Sequence, residues 1–375
     1  MEYVALKDVC KINMGQSPDS SSYNDKKEGI PFYQGNADFG EKHPIPRVWC
    51  NAPTKIAQPK DILMSVRAPI GALNYAQEKC CIGRGLAAIT PDKDKLSLEF
   101  LYWFLREKNS ELNSKGTGST FKAISKKTLE EIRVPLIDLE KQQKMAQALE
   151  KTYAVIQMRT KQLKELDDLI KARFVEMFGE DIKQSNMTIA DIAEETTVGI
   201  ANSATHAYSE SGVVMLRNQN IRVNYLDDRD LIYIKQDFAE KYKNKALHEG
   251  DILVTRTGAN VGMACIVPKK YEGCQTFTTL ILRLRKDISI SPIFVCHYIN
   301  SPLGKSFVDE NKIGGGQPNF GAKQLSIMPI VVPSEEKQIA FDLFVNQVDK
   351  SKATVQKALD ETQLLFDSLM QQYFG

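Results

Sequence analysis

The sequence is short of most features that announce a catalyst. Its apolar runs are brief, Leu280-Ile281-Leu282 and Ile330-Val331-Val332 being typical, whereas a bilayer span needs roughly 20 apolar residues. The opening Met1-Glu2-Tyr3-Val4-Ala5-Leu6-Lys7-Asp8 lacks the basic-then-apolar layout of a secretory signal, so a cytoplasmic protein with no membrane partner is expected. The seven cysteines include no C-x-x-C, which excludes a zinc ribbon or a redox pair and predicts buried, reduced thiols. His43, His206, His248 and His297 are isolated, and none has a second ligand at metal spacing. Net charge is only +2: residues 1–180 hold 28 Lys+Arg against 24 Asp+Glu, and the rest 21 against 23. A nucleic-acid binder with this balance must gather its cations on one face.

The cofactor motifs fail on context. Gly83-Arg84-Gly85-Leu86-Ala87-Ala88 fits G-x-G-x-x-A, but Ile89-Thr90-Pro91 follows directly and cannot open the required helix. Gly304-Lys305-Ser306 has Ile299 where a P-loop has its first glycine. Pro91-Asp92 and Glu107-Lys108 do not supply the acidic-x-Lys cluster of a common nuclease core. Glu310-Asn311-Lys312 has that shape with no Pro-Asp nearby. The Asn-Pro-Pro-Tyr or Asp-Pro-Pro-Tyr run with which adenine methyltransferases hold a flipped base is missing too. No catalytic residue, metal site or cofactor is therefore assigned to this chain.

What the chain does have is an internal duplication, with a period near 196 residues. Pro59-Lys60-Asp61-Ile62-Leu63-Met64-Ser65-Val66-Arg67 leads to Gly71, and Glu249-Gly250-Asp251-Ile252-Leu253-Val254-Thr255-Arg256-Thr257 leads to Gly262. A glycine-rich loop follows in each copy, Gly116-Thr117-Gly118-Ser119-Thr120-Phe121 and Gly314-Gly315-Gly316-Gln317-Pro318-Asn319-Phe320. Leu129-Glu130-Glu131-Ile132-Arg133-Val134-Pro135 then matches Ile327-Met328-Pro329-Ile330-Val331-Val332-Pro333. Glu140-Lys141-Gln142 matches Glu336-Lys337-Gln338, and Phe178-Gly179 matches Phe374-Gly375.

Each copy divides into a mixed segment and a helical one. Residues 1–135 and 181–333 hold most of the Gly and Pro and read as mainly β, with a few helices such as the one around Glu99–Leu105. Residues 140–178 and 335–373 contain neither Gly nor Pro, so a long helix is expected over each. Leu149, Ile156, Leu163 and Ile170 recur at heptad spacing, with Met145, Leu166 and Met177 in the same stripe. In the second copy Phe341, Val348 and Val355 form one row, with Thr362 as a polar break before Leu369, while Val345, Leu359, Phe366 and Tyr373 form another. Such rows predict that the two helices pair as a coiled coil.

A helix of about 37 residues runs roughly 55 Å. If the second helix is antiparallel to the first, the chain returns to its start and places two similar domains at opposite ends of a rod, related by a pseudo-two-fold axis. The expected class is α+β: two β-rich domains, 1–135 and 181–333, separated by helices over 136–180 and 334–375. DNA-binding dimers space their reading heads about 34 Å apart; one chain would here imitate such a dimer and, because its domains differ, read unlike half-sites.

At this point the sequence resembles the specificity subunits of type I restriction–modification systems. The resemblance covers the whole chain and rests on an ordered set found in both copies: the Asp-Ile-Leu strand with its following Ser/Thr and Arg, the glycine-rich loop, and the Ile/Val-Pro-x-x-x-x-Glu-Lys-Gln start of each long helix. Leu6-Lys7-Asp8-Val9 opens the first copy. It implies two target recognition domains, each reading half of a split, asymmetric site in double-stranded DNA. It also implies a helical spacer that docks two methylation subunits, which hold S-adenosylmethionine and modify adenines. A separate translocating nuclease, up to two subunits, would cut unmodified DNA. A single-chain methyltransferase, a stand-alone repressor and a coiled-coil scaffold are the rival readings.

Base reading needs planar donor–acceptor side chains on loops, and phosphate contact needs cations or backbone N–H groups. On residue type the candidates in the first domain are Gln34, Asn36, Arg67, Arg84, Ser119, Thr120 and Lys122. In the second they are Arg217, Asn218, Gln219, Asn220, Arg256, Thr257, Gln275, Gln317, Asn319 and Lys323. The glycine-rich loops let backbone amides approach a phosphate closely. Tyr33, Trp49, Phe121 and Phe320 are expected to anchor core or loops. Lys122, Lys126 and Lys127 form either a phosphate-facing cluster or a solvated helix face.

Overall fold

The computed structural model describes residues 2–117, 122–185, 187–201, 204–314, 316 and 318–375. The chain divides into two compact units, Met1–Thr160 with Lys357–Gly375, and Lys161–Gln356.

In unit one a four-stranded antiparallel sheet has the order Cys10–Met14, Leu86–Pro91, Ile62–Ser65, Leu73–Tyr75. A second sheet of five short strands sets Ile30–Tyr33 parallel to Cys80–Ile82. Glu2–Ala5 pairs antiparallel with Arg133–Leu136, just before the first long helix. Unit two repeats the plan. Ala193–Val198, Leu280–Leu284, Ile252–Val254 and Ala264–Ile266 form its antiparallel sheet. Val213–Leu216 runs parallel to Gln275–Thr276, and Met187–Thr188 pairs with Pro329–Ile330.

The shared motifs have shared local causes. Asp61 and Asp251 each accept a hydrogen bond from the backbone N–H three residues earlier, at Gln58 (2.7 Å) and His248 (2.9 Å), closing the turn before the Ile-Leu strand. Gly71 and Gly262 have φ of +86° and +85°, which disfavours any side chain. Ser97 and Ser291 cap the helices Leu98–Glu107 and Pro292–Asn300 by accepting from Phe100 N (3.3 Å) and Ile293 N (3.1 Å).

The glutamine of Glu-Lys-Gln is a buried clamp. Gln142 accepts from Ser97 N at 2.8 Å and donates to Lys95 O and Ile137 O at 2.9 and 2.7 Å. Gln338 accepts from Ser291 N at 2.6 Å and donates to Ser289 O and Pro333 O. One amide thus ties the first turn of a long helix to the loop below it.

The long helices span Leu139–Lys183 and Glu335–Phe374. Within unit one their segments run antiparallel: Leu149 and Ile156 share a core with Phe366, Met370 and Phe374. Leu359 packs on its edge. Phe374 meets Phe100 at 5.2 Å between ring centroids, and Phe366 meets Trp103 at 5.5 Å. Arg106 lies 4.2 Å above the Tyr153 ring. The polar break at Thr362 is filled by Arg159, whose Nη1 donates to the Thr362 hydroxyl and to Ala358 O. Within unit two Ile170, Phe174 and Phe178 are buried with Phe294, Phe341, Val345 and Val348. Lys352 bonds Asp167 at 2.6 Å. Leu163 is half-buried and belongs to neither core.

The fold is therefore α+β and duplicated. All seven cysteines are unpaired and all but Cys274 are buried; burial pushes the Cys10 and Cys80 thiols up to about 12, which suppresses thiolate. Among the described residues no helix is long and apolar enough to cross a membrane.

Candidate nucleic-acid interface

In unit two the candidates gather where two loops meet. After the strand Val213–Leu216 the chain makes a single 3-10 turn over Asn218–Asn220. Asn218 Nδ2 donates to the Thr257 hydroxyl at 3.1 Å. Thr257 in turn forms an antiparallel bridge with Asn319, whose Oδ1 accepts from Arg256 Nε at 3.1 Å. Phe320, fully buried, donates its N–H to Arg256 O at 2.8 Å and pins the glycine-rich loop to this place. Arg217 Nη2 reaches Asp230 O at 2.5 Å. Arg217 Nε and Asn218 Oδ1 are buried and without a hydrogen-bond partner. Gln219 and Lys323 are exposed. Unsatisfied buried polar atoms are rare and call for a partner.

Two of the candidates are buried. Asn220 is 1 % exposed; its Oδ1 accepts from Arg217 N at 3.0 Å and its Nδ2 donates to Asp227 O and Arg229 O, both at 3.0 Å. Gln275, also 1 % exposed, donates to Tyr242 O at 3.1 Å from within the parallel strand pair. Asn220 has its oxygen and both its N–H groups bonded to backbone and so serves the fold, whereas Gln275 Oε1 is buried and, among the described residues, without a hydrogen-bond partner. The neighbouring Asp227 has its carboxyl held well below the usual range by Arg229, with Arg222 adding to the effect. Neither arginine was picked out from the sequence, since the Ile221↔Leu226 pairing that brings them to Asp227 has no local pattern.

Unit one builds a matching cluster with different chemistry. Gln34 is exposed and its N–H donates to Asp38 at 2.7 Å, while Asn36 is half-buried. A Cβ at Gly85 would lie 2.2 Å from Gln34 O, so the glycines of Gly83-Arg84-Gly85 permit a close backbone crossing and leave Arg84 exposed at its centre. Gly85 O accepts from Val66 N at 2.9 Å, Arg67 bridges Ala123, and Lys122 O accepts from Ala68 N at 3.0 Å. Arg67, Arg84 and Lys122 thus emerge, exposed, from adjoining loops, and among the described residues none has an ion-pair partner. Lys126 and Lys127 instead pair with Glu130 (3.3 Å) and Glu131 (3.8 Å) along their own short helix, as a solvated face does.

Tyr33 and Phe320 are buried anchors and Trp49 is half-buried. Ser119, Thr120, Phe121 and Gln317 lie outside the described residues. Gly304 sits inside the helix Pro302–Asn311, where a Cβ would come 2.4 Å from Tyr298 O; its glycine is steric. No cluster of three or more potential metal ligands occurs among the described residues.

The fold is thus duplicated and α+β, with a polar, partly cationic loop cluster in each copy. Sequence comparison makes the assignment specific. The family profile described as "Type I restriction modification DNA specificity domain" matches residues 1–168 and again 183–362, and the chain belongs to that family. It is 21 % identical over 411 residues to the type I restriction enzyme EcoBI specificity subunit of Escherichia coli, covering 99 % of this chain and 85 % of that one. A protein of Methanocaldococcus jannaschii assigned as the type I restriction enzyme MjaX specificity subunit is 45 % identical over 157 residues; that match spans 42 % of this chain and 37 % of the relative's length. Among solved structures, the type I restriction–modification S subunit from M. genitalium superposes with a TM-score of 0.62 at 14 % identity, covering 100 % of this chain and 96 % of that chain, a likeness of fold.

Proposed function

We propose that this chain reads a bipartite, asymmetric site in double-stranded DNA, one half with each loop cluster, and is not itself an enzyme. Residues 1–135 and 181–333 are the target-reading domains, and 136–180 and 334–375 the helical spacer. The supporting observation is the duplicated cluster with unlike side chains: Arg67, Arg84, Lys122 and Gln34 in one unit, Arg217, Asn218, Arg256, Thr257 and Asn319 in the other. Equivalent backbones presenting different groups suit unlike half-sites.

The helices carry two methylation subunits, which bring S-adenosylmethionine, and a complete complex adds translocating nuclease subunits; all act in the cytoplasm. In support, each unit leaves large apolar side chains exposed on its helical segments. Unit one exposes Met158 (68 %) and Leu364 (71 %), and unit two Leu343 (66 %) and Val175 (55 %), as protein-binding surfaces do. Native mass spectrometry of the chain co-expressed with its neighbouring methylation subunit tests this. Two methylation subunits per chain are expected; a chain that stays alone yet binds DNA would favour a stand-alone repressor.

A further inference from the structure

Unit one contains a cavity of about 540 Å³ between the Asp61 turn and the start of the first long helix, lined by Lys60, Asp61, Thr90, Lys93, Leu96 and Glu99 among others. The duplication supplies a comparison for this place. Asp61 and Asp251 occupy the same position: each caps its turn through the residue three before it, and each has its carbonyl bonded by the next strand, by Ala76 N at 2.9 Å and Val267 N at 2.8 Å. In unit two Asp251 is covered by Arg283, whose Nε and Nη2 donate to its two oxygens at 2.9 and 2.7 Å. Arg283 also donates to Glu195 at 3.4 Å.

Strand register identifies the counterpart. Ile252 pairs with Leu282 and Ile62 with Ile89, so Arg283 corresponds to Thr90. Thr90 is too short to cover the carboxylate and donates a single hydrogen bond to Asp61 Oδ1 at 2.6 Å. Asp61 is 4 % exposed. A carboxylate offers about four acceptor sites; two are used here, which leaves one on each oxygen of a residue that lines the cavity. The fork geometry of guanidinium fits that pair better than a point-charge ammonium does.

We propose that this cavity receives the guanidinium of an arginine carried by a partner protein, which completes in trans the pair that Arg283 and Asp251 make within unit two. The second carboxylate is Glu99 on the cavity wall, since the position of Glu195 is taken in unit one by Lys11. Lys60 and Lys93 are exposed and, among the described residues, make no ion pair. They select a partner segment in which acidic residues flank the arginine. A polypeptide source is favoured because the cavity also includes Leu139 and Gln143 of the long helix, and that helix goes on to expose Val155 and Met158 in the same unit.

The test is methyl-labelled NMR on the full chain, following Leu96 and Leu98 while titrating acetyl-Glu-Arg-Glu amide. Saturable shifts are expected. Replacing the arginine by neutral citrulline should weaken binding by about tenfold or more, as loss of a charge-assisted pair does. Asp61→Asn should abolish the shifts. Because Asp61 also caps a turn, Thr90→Arg is the second variant: it should fold, place its own guanidinium on Asp61 and block the peptide. No saturable shift, equal binding of the citrulline peptide, or full binding to Thr90→Arg would overturn the proposal. Free arginine amide binding as tightly as the peptide would overturn its protein-borne form.

Discussion

Asn218 donates its side-chain amide to the hydroxyl of Thr257 at 3.1 Å, across 39 residues of sequence, and keeps its own carbonyl oxygen buried and unpartnered. That one bond joins the loop after Val213–Leu216 to the segment beyond Ile252–Val254 that bridges Asn319. Arg217 Nε, on the preceding residue, is likewise buried and without a partner. In the proposed reading this spare donor and spare acceptor are the groups that a base edge engages. Asn218→Ala should therefore cost about 1–3 kcal/mol in binding of the correct half-site and relax specificity there, while complex assembly is unchanged. Competition binding with single-base variants of that half-site checks this.

Two residues along, the same substitution should act on folding instead. Asn220→Ala removes three hydrogen bonds between a buried side chain and backbone groups. A loss of about 1–3 kcal/mol in stability is expected from stranding such groups, read by urea denaturation. The contrast between the two substitutions tests whether reading and scaffolding separate within one turn.

In the proposed reading Arg67, Arg84 and Lys122 contact DNA phosphates through charge. Replacing any one by Gln should weaken binding nearly equally on all DNA sequences and lower the salt-dependence slope by about 1. Fluorescence anisotropy at graded salt measures it. A change confined to one base position would make that residue a base reader.

His297 should make unit two sensitive to acid. Burial beside Phe341 lowers it to about 4 from the ordinary 6.5. The neutral ring is favoured in the folded state, so this contribution is complete above pH 6.5. It is lost as pH falls toward 4, at up to about 1.4 kcal/mol per pH unit. His297→Gln should remove that slope from denaturant titrations taken at pH 7, 6 and 5.

Unit one depends on the last residues of the chain. Deleting 357–375 takes Phe366, Met370 and Phe374 from the core that holds Phe100, Trp103 and Phe104. Large-to-small core changes already cost about 3–5 kcal/mol per aromatic, so unit one should lose its protection against limited proteolysis.

Periodic features were legible in the sequence. The duplication and the heptad rows around Leu149, Ile156, Ile170, Val345, Val348 and Phe366 depend on spacing that one strand of text displays, and these side chains are buried as such rows require. Single polar residues were not. Asn218 and Asn220 look alike as letters, and only the pairing of Ile221 with Leu226 decides that Asn220 is consumed by Asp227 and Arg229. Gln275 is buried for a similar reason, through a parallel strand contact with no local pattern. The Glu-Lys-Gln triplet was visible as a repeat, but its reason, a glutamine satisfying three backbone groups below a helix, needed the loop at Lys95–Ser97 in place.

The most direct measurement is modified-base sequencing of a host that expresses this chain with its neighbouring methylation subunit. The account predicts a split, asymmetric motif with methyladenine on opposite strands, lost when this chain is deleted and altered in one half only by Asn218→Ala. A soluble, assembled complex that leaves no such motif, or a motif unchanged by deletion of the chain, would contradict it.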